Sequence, residues 1–213
     1  MKTILITGAS SGLGLALARV YTKDYHIILV ARSEDKLKAC QKLLEGPTSI
    51  FTCDIRSNSD ISDLKAYLIR EHGSISCLIN NAGVGYFGPF LDLKAQEIQD
   101  MVQTNTTGTI LLTHTLLPLV DDKVMTIIST AGLKPKVNES VYVASKYALR
   151  GFMESLQLEY QGQKKFLPIY MGGMDTAFWD HSDHIKDKSR LKSPDLVART
   201  IRELDDGRKE IIL

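Results

Sequence analysis

The chain has 213 residues, which is long enough for one sizeable hydrophobic core and short for two, so we predict a single domain over residues 1–213. Hydrophobic residues make up 44% and charged residues 24%, proportions that are typical of globular proteins and argue against extensive disorder. The net charge of +1 gives no electrostatic reason to expect a nucleic acid or an anionic membrane as a partner.

Short β-branched runs alternate with longer helical patterns along the whole chain. The runs are almost continuously apolar, which is typical of parallel strands covered by helices on both faces. We therefore predict an α/β fold, a Rossmann-like doubly wound parallel sheet of about seven strands with helices on both faces. The predicted strands are Thr3–Thr7, His26–Ala31, Ser49–Cys53, Ile75–Ile79, Val124–Ser129, Phe166–Tyr170 and Glu210–Leu213.

The segments between these runs have helical patterns, and two of them are long, Glu97–Val120 and Val141–Tyr160. Ser33, followed by two acidic residues, has the sequence of a helix cap, as does Ser193, followed by proline and aspartate. The sequence contains no internal repeat, low-complexity tract or Pro/Gly/Ser-rich linker. This organisation agrees with one α/β domain.

A glycine-rich turn follows the first predicted strand and leads directly into a helical pattern. Its glycines permit a tight turn, and the start of the helix offers free N–H groups to a pyrophosphate. We therefore expect a dinucleotide here, although such glycines also occur in plain strand-to-helix turns. The residues expected to contact it are Gly8, Ser10, Ser11, Gly12, Leu13 and Gly14.

Part of this turn, residues 8–12, also matches the GxSxG nucleophile elbow of hydrolases. On that alternative, Ser10 is the nucleophile of a serine hydrolase, and His181 or His184 supplies the histidine. An elbow on the first strand leaves no earlier strand to carry the oxyanion loop, which disfavours the hydrolase.

The second predicted strand ends in Ala31 and Arg32, where NAD-binding domains usually carry an acidic residue for the ribose hydroxyls. Ala31 removes a carboxylate that would repel a 2′-phosphate, and Arg32 can pair with that phosphate through forked hydrogen bonds. The pattern favours NADP(H), with NAD(H) as the alternative. Arg32 could instead be a solvated loop charge, and Glu34 or Asp35 could reach a ribose.

Several motifs in a fixed order give the sequence a resemblance to a known family. They are TGxxxGxG at Thr7–Gly14, Asp54 after the third predicted strand, Asn80-Asn81-Ala82-Gly83 after the fourth, Asn105, Ser129, and YxxxK at Tyr142–Lys146. The chain resembles the short-chain dehydrogenases/reductases over essentially its whole length. That resemblance implies an oxidoreductase that interconverts a carbonyl and an alcohol of a small molecule with NAD(P).

The resemblance also implies where the adenosine half of the cofactor binds. Asp54 would bond the adenine amino group, with Ile55 beside it, and the backbone of Asn81, Ala82 and Gly83 would pack under the adenosine. Asp54 could otherwise be an ordinary turn residue, since aspartate commonly follows strands. The asparagine segment could be a plain loop.

Tyr142 and Lys146 are four positions apart, so on a helix they share one face, and an ammonium near a phenol favours the phenolate. Lowering the pKa of a phenol from about 10 to about 7 takes about 4 kcal/mol, to which we expect Lys146, the cofactor charge and a desolvated pocket to contribute. Such a phenol is a general acid/base. By the resemblance, Ser129 binds the substrate oxygen, and Asn105 orients a water that links the lysine to solvent. Tyr142 and Lys146 also bind the cofactor, and Lys146 holds its nicotinamide ribose.

Each of these four residues also has an ordinary structural explanation when taken alone. Tyr142 could begin an amphipathic helix, Ser129 could end a strand, Lys146 could be a surface charge, and Asn105 could mark a helix kink or cap. Their joint occurrence at family-like separations favours the catalytic interpretation.

The segment after the sixth strand is similar to the family's PGGMxT motif, with Met171 in place of proline. Gly172 and Gly173 permit close approach of the nicotinamide, and Thr176 can bond its carboxamide. Without the proline we expect a less rigid loop.

Two pairs of residues follow this loop. Phe178 and Trp179 could roof an apolar substrate or could belong to the core. His181 and His184 lie in a polar stretch and are expected to be solvated, so we predict no metal site.

Three further expectations concern the setting of the protein. Cys40, Cys53 and Cys77 lack the paired spacing of zinc or redox sites, which favours a cytoplasmic location, and no apolar stretch reaches the length of a membrane helix. In similar proteins the two long helices pack across a dimer axis, so we expect a homodimer or homotetramer. A non-catalytic NADP(H)-binding sensor or scaffold is a further hypothesis, against which the complete catalytic set argues.

Overall fold

A seven-stranded, entirely parallel sheet runs through the centre of the molecule, in the order β3-β2-β1-β4-β5-β6-β7. The computed structural model describes residues 1–179 and 187–213. The predicted Rossmann-like fold is confirmed, and every strand except β5 agrees with its predicted bounds to within one residue. The strands are β1 (Thr3–Thr7), β2 (His26–Ala31), β3 (Thr48–Thr52), β4 (Ile75–Asn80), β5 (Val120–Ile127), β6 (Lys165–Tyr170) and β7 (Ile211–Ile212).

Helices cover both faces of the sheet, because successive strand residues point to opposite sides and both sides are apolar. Ile4 and Ile6 pack under one layer of helices, whereas Leu5 packs under the other. The first layer contains α1 (Gly12–Tyr21), α2 (Glu34–Gln41) and α7 (Pro194–Glu203). The second contains α3 (Asn58–Glu71), α5 (Thr109–Leu116) and α6 (Ser140–Glu159), and α4 (Ala95–Met101) precedes α5.

The prediction of one continuous helix over Glu97–Val120 is wrong. A π-helical segment, Val102–Gly108, separates α4 from α5, and a short 3-10 turn with Pro118 follows α5. Proline lacks the N–H that a helix interior needs, so the helix ends there and β5 begins already at Val120. The helix predicted over Val141–Tyr160 corresponds to α6 and is confirmed to within one residue.

The prediction that β5 reaches Ser129 is also wrong, since the strand ends at Ile127. Ser129 has a φ of +101°, which cannot continue the pleat of a strand. The cap predicted at Ser33 is confirmed, because its side chain accepts a hydrogen bond from the Lys36 N–H at 3.4 Å. Ser193 begins α7 without a side-chain capping bond, and the proline after it removes one N–H that a cap would have satisfied.

The order of the strands reverses between β1 and β4, because the chain builds outward from β1 to β3 and then returns to the other side. In such sheets the crevice at the carboxyl ends of these two strands is where ligands bind. Both the glycine-rich turn and the Asn81 segment leave the sheet at this crevice. In the described part of the chain, no helix combines the length and apolar character that crossing a membrane requires.

Candidate active site

The glycine-rich turn bends sharply at the end of β1, where Gly8 and Gly12 have φ values of +64° and +52°. A side chain at Gly14 would place its Cβ 2.3 Å from the carbonyl oxygen of Gly8, so only glycine fits. Leu13 is buried in the first turn of α1 and anchors the helix to the sheet, while Ser11 is exposed at the helix start. The turn therefore presents backbone N–H groups, which suits a dinucleotide pyrophosphate.

The segment after β4 is hydrogen-bonded directly to this turn. The backbone N–H groups of Asn81 and Ala82 donate to the Thr7 hydroxyl at 3.0 and 3.1 Å, and the Asn81 side chain donates to the Thr7 carbonyl at 2.9 Å. A Cβ on Gly8 would lie 2.9 Å from the Ala82 Cα. The predicted residues of the two segments thus form one surface at the crevice.

The expected adenosine end contains a charge cluster that the motifs did not reveal. Arg56 donates two hydrogen bonds to the Asp54 carboxylate, from Nη2 to Oδ2 at 2.7 Å and from Nε to Oδ1 at 3.0 Å. Its Nη1 donates to Oδ1 of Asp100 at 3.1 Å. The hydrogen bonds from Arg56 lower the pKa of Asp54, with a smaller contribution from the charge of Arg32. Arg32 itself is exposed and has no ion-pair partner within residues 1–179 and 187–213.

The loop after β3, which carries this cluster, packs against the π-helical segment. Ile55 is buried, and a Cβ on Gly108 would lie 2.7 Å from the Ile55 carbonyl oxygen. The π segment and the loop after β3 can therefore approach only because residue 108 is glycine.

Ser129 lies just beyond β5 in a strained backbone conformation. Its φ of +101° and ψ of 151° belong to a region used almost only by glycine. The side chain is buried, and its hydroxyl accepts a hydrogen bond from the Ala131 N–H at 3.2 Å. The Ser129 side chain lies close enough to Tyr142 to lower the pKa of its phenol.

This strain leads to a testable difference between two variants that both lack the hydroxyl. We expect Ser129→Gly to be more stable than Ser129→Ala by about 1 kcal/mol, because glycine adopts the positive φ without a Cβ penalty. Urea denaturation of the two variants measures the difference. Equal stability, or a more stable alanine variant, would show that the backbone at this position is unstrained.

Tyr142 and Lys146 are both buried in α6 and lie on the same face of the helix, as predicted. The Lys146 Nζ is 5.6 Å from the centroid of the Tyr142 ring and donates a hydrogen bond to the Ile127 carbonyl at 3.1 Å. Burial lowers the pKa of Lys146 from its ordinary value of 10.5 to about 8. The buried ammonium therefore releases its proton more readily than an exposed lysine does.

The expectation that a desolvated pocket helps to lower the pKa of Tyr142 is wrong. Burial raises the pKa of this phenol, because a phenolate loses its hydration inside the protein; the hydrogen bond from Ser129 opposes the rise and the charge of Glu139 adds to it. In the protein without ligands, the hydroxyl is therefore protonated at neutral pH.

Asn105 is completely buried at the centre of the π-helical segment. Its side chain pairs with the backbone of Val84, accepting from the N–H at 2.8 Å and donating to the carbonyl at 2.9 Å, and it also donates to the Ser145 hydroxyl at 3.1 Å. A Cβ on Gly83 would lie 3.3 Å from the Asn105 Oδ1 and 3.8 Å from the Lys146 Nζ. Asn105 thus joins the loop after β4 to the helix that carries Tyr142.

The loop after β6 completes the crevice from the other side. Thr176 contacts the glycine-rich turn, since a Cβ on Gly12 would lie 3.2 Å from its Cγ2. The Gly173 carbonyl accepts a hydrogen bond from the Lys192 N–H at 3.3 Å, and no atom of the described residues comes within 4 Å of a Cβ built on Gly172. Met171, in the place of the family's proline, is fastened through its carbonyl, which accepts from the Thr130 N–H at 2.9 Å.

The comparison with protein families identifies the chain. A family model described as short chain dehydrogenase matches residues 2–186. The chain belongs to the short-chain dehydrogenase family.

Named relatives agree with this assignment. Sepiapterin reductase of Chlorobaculum tepidum is 28% identical over 215 residues, covering 93% of this chain and 88% of the relative. A ketoacyl reductase of Nostoc sp. is 35% identical over 169 residues, covering 76% of this chain and 59% of the relative. Both are reductases, and this short-chain dehydrogenase is accordingly an oxidoreductase.

Solved structures show the same architecture with nicotinamide cofactors bound. An alcohol dehydrogenase from Thermococcus sibiricus, complexed with 5-hydroxy-NADP, superposes with a TM-score of 0.91 at 25% identity, covering 100% of this chain and 96% of that structure. Actinorhodin polyketide ketoreductase with NADPH superposes with a TM-score of 0.87 at 26% identity, covering 99% and 94%.

Some site residues of this short-chain dehydrogenase escaped the sequence analysis. Arg56 follows Asp54 by two positions, a spacing that could have suggested an ion pair. Ser145 lies inside YxxxK, but its bond to Asn105 depends on the π segment. Phe87 contacts the Tyr142 ring from a loop without any diagnostic motif, so only the three-dimensional structure reveals it.

The serine predicted by the hydrolase alternative has no catalytic partner in the described part of this short-chain dehydrogenase. Among these residues no histidine is hydrogen-bonded to Ser10, and the serine–histidine pair that does occur joins Ser49 to His26 at 2.9 Å, near the opposite ends of the strands. His181 and His184, considered both for the hydrolase and as solvated residues, lie outside the described residues.

Proposed function

We propose that this short-chain dehydrogenase interconverts a small-molecule carbonyl and an alcohol with NADP(H), using Tyr142 as the general acid/base. One observation carries the proposal: the buried side chains of Ser129, Tyr142 and Lys146 lie together beside the crevice that holds the glycine-rich turn, and Ser129 is close enough to lower the pKa of the Tyr142 phenol. We further propose that residues 1–213 act as one domain, since one sheet carries all of these groups.

The residues of the chain have separate tasks in this mechanism. When bound, the nicotinamide supplies or accepts the hydride. Tyr142 gives its proton to the carbonyl oxygen in reduction and takes one from the alcohol in oxidation, while the Ser129 hydroxyl bonds the same oxygen. Lys146 holds the nicotinamide ribose and, with its pKa lowered to about 8, can pass a proton on to Tyr142.

Asn105 has a positioning task in this proposal. Its side chain is hydrogen-bonded to Val84 and Ser145, so it holds the loop after β4 against the first turns of α6. We propose that the π segment around it orients a water between Lys146 and solvent, since π segments often occur at functional sites.

The cofactor-binding residues are proposed from their positions at the crevice. The turn with Gly8, Ser10, Ser11, Gly12, Leu13 and Gly14 would bind the pyrophosphate. Asp54, Ile55, Asn81, Ala82 and Gly83 would surround the adenosine, and Gly172, Gly173 and Thr176 would border the nicotinamide. NADP compounds occur in the solved structures of an alcohol dehydrogenase and a ketoreductase, which supports a nicotinamide cofactor here.

The preference for NADP(H) is tested by Arg32→Ala. Arg32 is exposed and its charge acts on Asp54, so it lies beside the expected adenosine end. We expect the variant to bind NADPH about 10-fold more weakly at low salt and NADH within about 2-fold of the wild type, because only the 2′-phosphate needs the guanidinium. Fluorescence titration with each cofactor measures both constants.

A matched control for this titration is Arg70→Ala, which removes an exposed arginine at the end of α3. It should leave both cofactor affinities unchanged. Equal losses of NADPH and NADH binding in Arg32→Ala would contradict the proposed preference for NADP(H) and leave NAD(H) as the alternative cofactor.

Turnover distinguishes the enzyme from the alternatives. Oxidation of NADPH across a panel of aldehydes and ketones supports the proposed activity. Binding of NADPH without turnover would instead support a sensor or scaffold, and ester cleavage abolished by Ser10→Ala would support the hydrolase.

We also propose a homodimer or homotetramer and a cytoplasmic location. The exposed apolar side chains of Val102 and Tyr147, on the π segment and α6, agree with an association through these helices. Cys40, Cys53 and Cys77 are all free and buried, which agrees with a reducing compartment.

A further inference from the structure

An aromatic cluster from three separate segments surrounds the ring of Tyr142. Phe87 contacts the edge of that ring at a centroid distance of 5.3 Å and stacks on Trp179 at 5.0 Å with an interplanar angle of 26°. Phe178 lies 5.9 Å from both Phe87 and Tyr142. These three rings, Phe87, Phe178 and Trp179, are called the aromatic wall below.

The backbone makes room for the aromatic wall at one position. A Cβ on Gly85 would lie 2.5 Å from the Cζ of Phe87 and 2.6 Å from the Cζ of Phe178, so the tips of both rings meet over a glycine. The Trp179 indole is fixed in turn, because its Nε1 donates to the Met174 carbonyl at 3.0 Å. All three rings are only partly buried.

The described neighbours of Tyr142 in its hydrophobic cluster include Met101 and Ala131, which are apolar. The aromatic wall therefore adjoins an apolar surface beside the phenol.

We propose that the substrate is an aryl ketone or aryl aldehyde whose ring packs on the aromatic wall while its carbonyl oxygen meets Tyr142 and Ser129. Aromatic rings attract each other in edge-to-face and offset-stacked arrangements, the geometries already present in the wall. A carbonyl within reach of the phenol places its attached ring next to Phe87. This inference rests on the proposed carbonyl–alcohol activity and names its substrate class.

Two ketones of the same size test the proposal. Acetophenone and cyclohexyl methyl ketone have the same carbon skeleton, but only the ring of acetophenone is aromatic and conjugated with the carbonyl. Conjugation makes a carbonyl less reactive toward hydride, so a preference for acetophenone must come from binding of its ring. We expect kcat/KM with NADPH to be about 3- to 10-fold higher for acetophenone than for the cyclohexyl ketone.

Phe87→Leu then tests the wall itself, because leucine keeps an apolar side chain but removes the ring. We expect it to reduce the preference for acetophenone over the cyclohexyl ketone to about 2-fold or less. The matched control is Phe90→Leu, which changes a phenylalanine that is 60% exposed and lies outside the aromatic cluster. The control should keep the preference of the wild type.

A second readout does not depend on turnover. Trp179 is the chain's single tryptophan, so its fluorescence reports directly on the wall. We expect acetophenone to change this emission saturably in the wild type and in Phe90→Leu, and more weakly in Phe87→Leu. Free N-acetyltryptophanamide measures the collisional quenching to be subtracted.

The outcomes separate this inference from the proposed function. A ratio of kcat/KM between the two ketones that is the same in the wild type and in Phe87→Leu overturns the aryl substrate class and leaves the carbonyl reductase standing. A saturable Trp179 response without NADPH oxidation by either ketone or by any member of the aldehyde and ketone panel keeps the aryl site and overturns the proposed function. The absence of both responses overturns the aryl site.

Discussion

Tyr142→Phe is expected to lower kcat by about 10²- to 10⁴-fold, the contribution that a positioned general acid/base usually makes. The substitution removes one oxygen from a ring that is already packed against Phe87 and Phe178, so the fold should persist. NADPH affinity should stay within about 2-fold, because the turn with Gly8 and Gly14 is untouched. Steady-state kinetics and a cofactor titration on the same preparation measure both effects.

Tyr147→Phe provides the matched control, since Tyr147 lies on the same helix but is 39% exposed. It should keep the kcat of the wild type. A Tyr142→Phe variant with more than about a tenth of the wild-type kcat would show that another group transfers the proton.

The raised pKa of Tyr142 also predicts different pH profiles for the two directions. Reduction needs the protonated phenol, which burial maintains at neutral pH, so its rate should be nearly constant from about pH 6 to 7 and decline as Lys146, with a pKa of about 8, loses its proton. Oxidation needs the deprotonated phenol, so its rate should increase as the pH rises toward the pKa. The two profiles recorded with the same cofactor pair test this assignment.

The fold could be predicted well from the sequence because its signal is local. Each parallel strand is an apolar run, and the two-sided burial of residues such as Ile4 and Leu5 makes these runs continuous. The end of β5 could not be predicted, because the positive φ of Ser129 is imposed by its surroundings. The π segment could not be predicted for a similar reason, since it depends on the contact between Gly108 and Ile55, which are far apart in the sequence.

For the candidate site, the positions of the residues were predicted better than their electrostatics. Motif residues such as Asn81 and Thr176 meet at the crevice because the carboxyl ends of the strands share one edge of the sheet. The electrostatics were predicted less well, since spacing indicates which groups are neighbours but not how far each is desolvated. Thus Lys146 does lie beside Tyr142, yet burial moves the pKa of the phenol in the opposite direction to the prediction.

Lys146→Met is expected to abolish most activity and, at the same time, to stabilise the protein without cofactor. The lowering of the lysine pKa from 10.5 to about 8 corresponds to an unfavourable free energy of about 3 kcal/mol for the buried ammonium. Methionine fills a similar volume without a charge, so we expect a gain of about 2 kcal/mol in the free energy of unfolding at pH 7, after the loss of the bond to Ile127. We expect kcat/KM to fall by about 10²-fold or more, because proton supply and ribose contact are both lost.

The pH dependence of this gain distinguishes a buried charge from simple packing. Between pH 8 and 10.5 the unfolded chain holds a proton on Lys146 that the folded chain has released, so wild-type stability increases with pH in this interval. The advantage of Lys146→Met should therefore be largest below pH 8 and shrink toward pH 10.5, as urea denaturation at several pH values can measure.

Lys36→Met, at an exposed position of α2, should change stability by less than about 0.5 kcal/mol at every pH. A Lys146→Met variant that is less stable at pH 7 would contradict the cost of the buried ammonium, whereas a stabilised variant with full activity would show that the ammonium has no role in turnover. A lysine that destabilises the fold and is needed for catalysis is what a proton-transfer site requires, because the burial that disfavours its charge also brings its pKa near that of the medium.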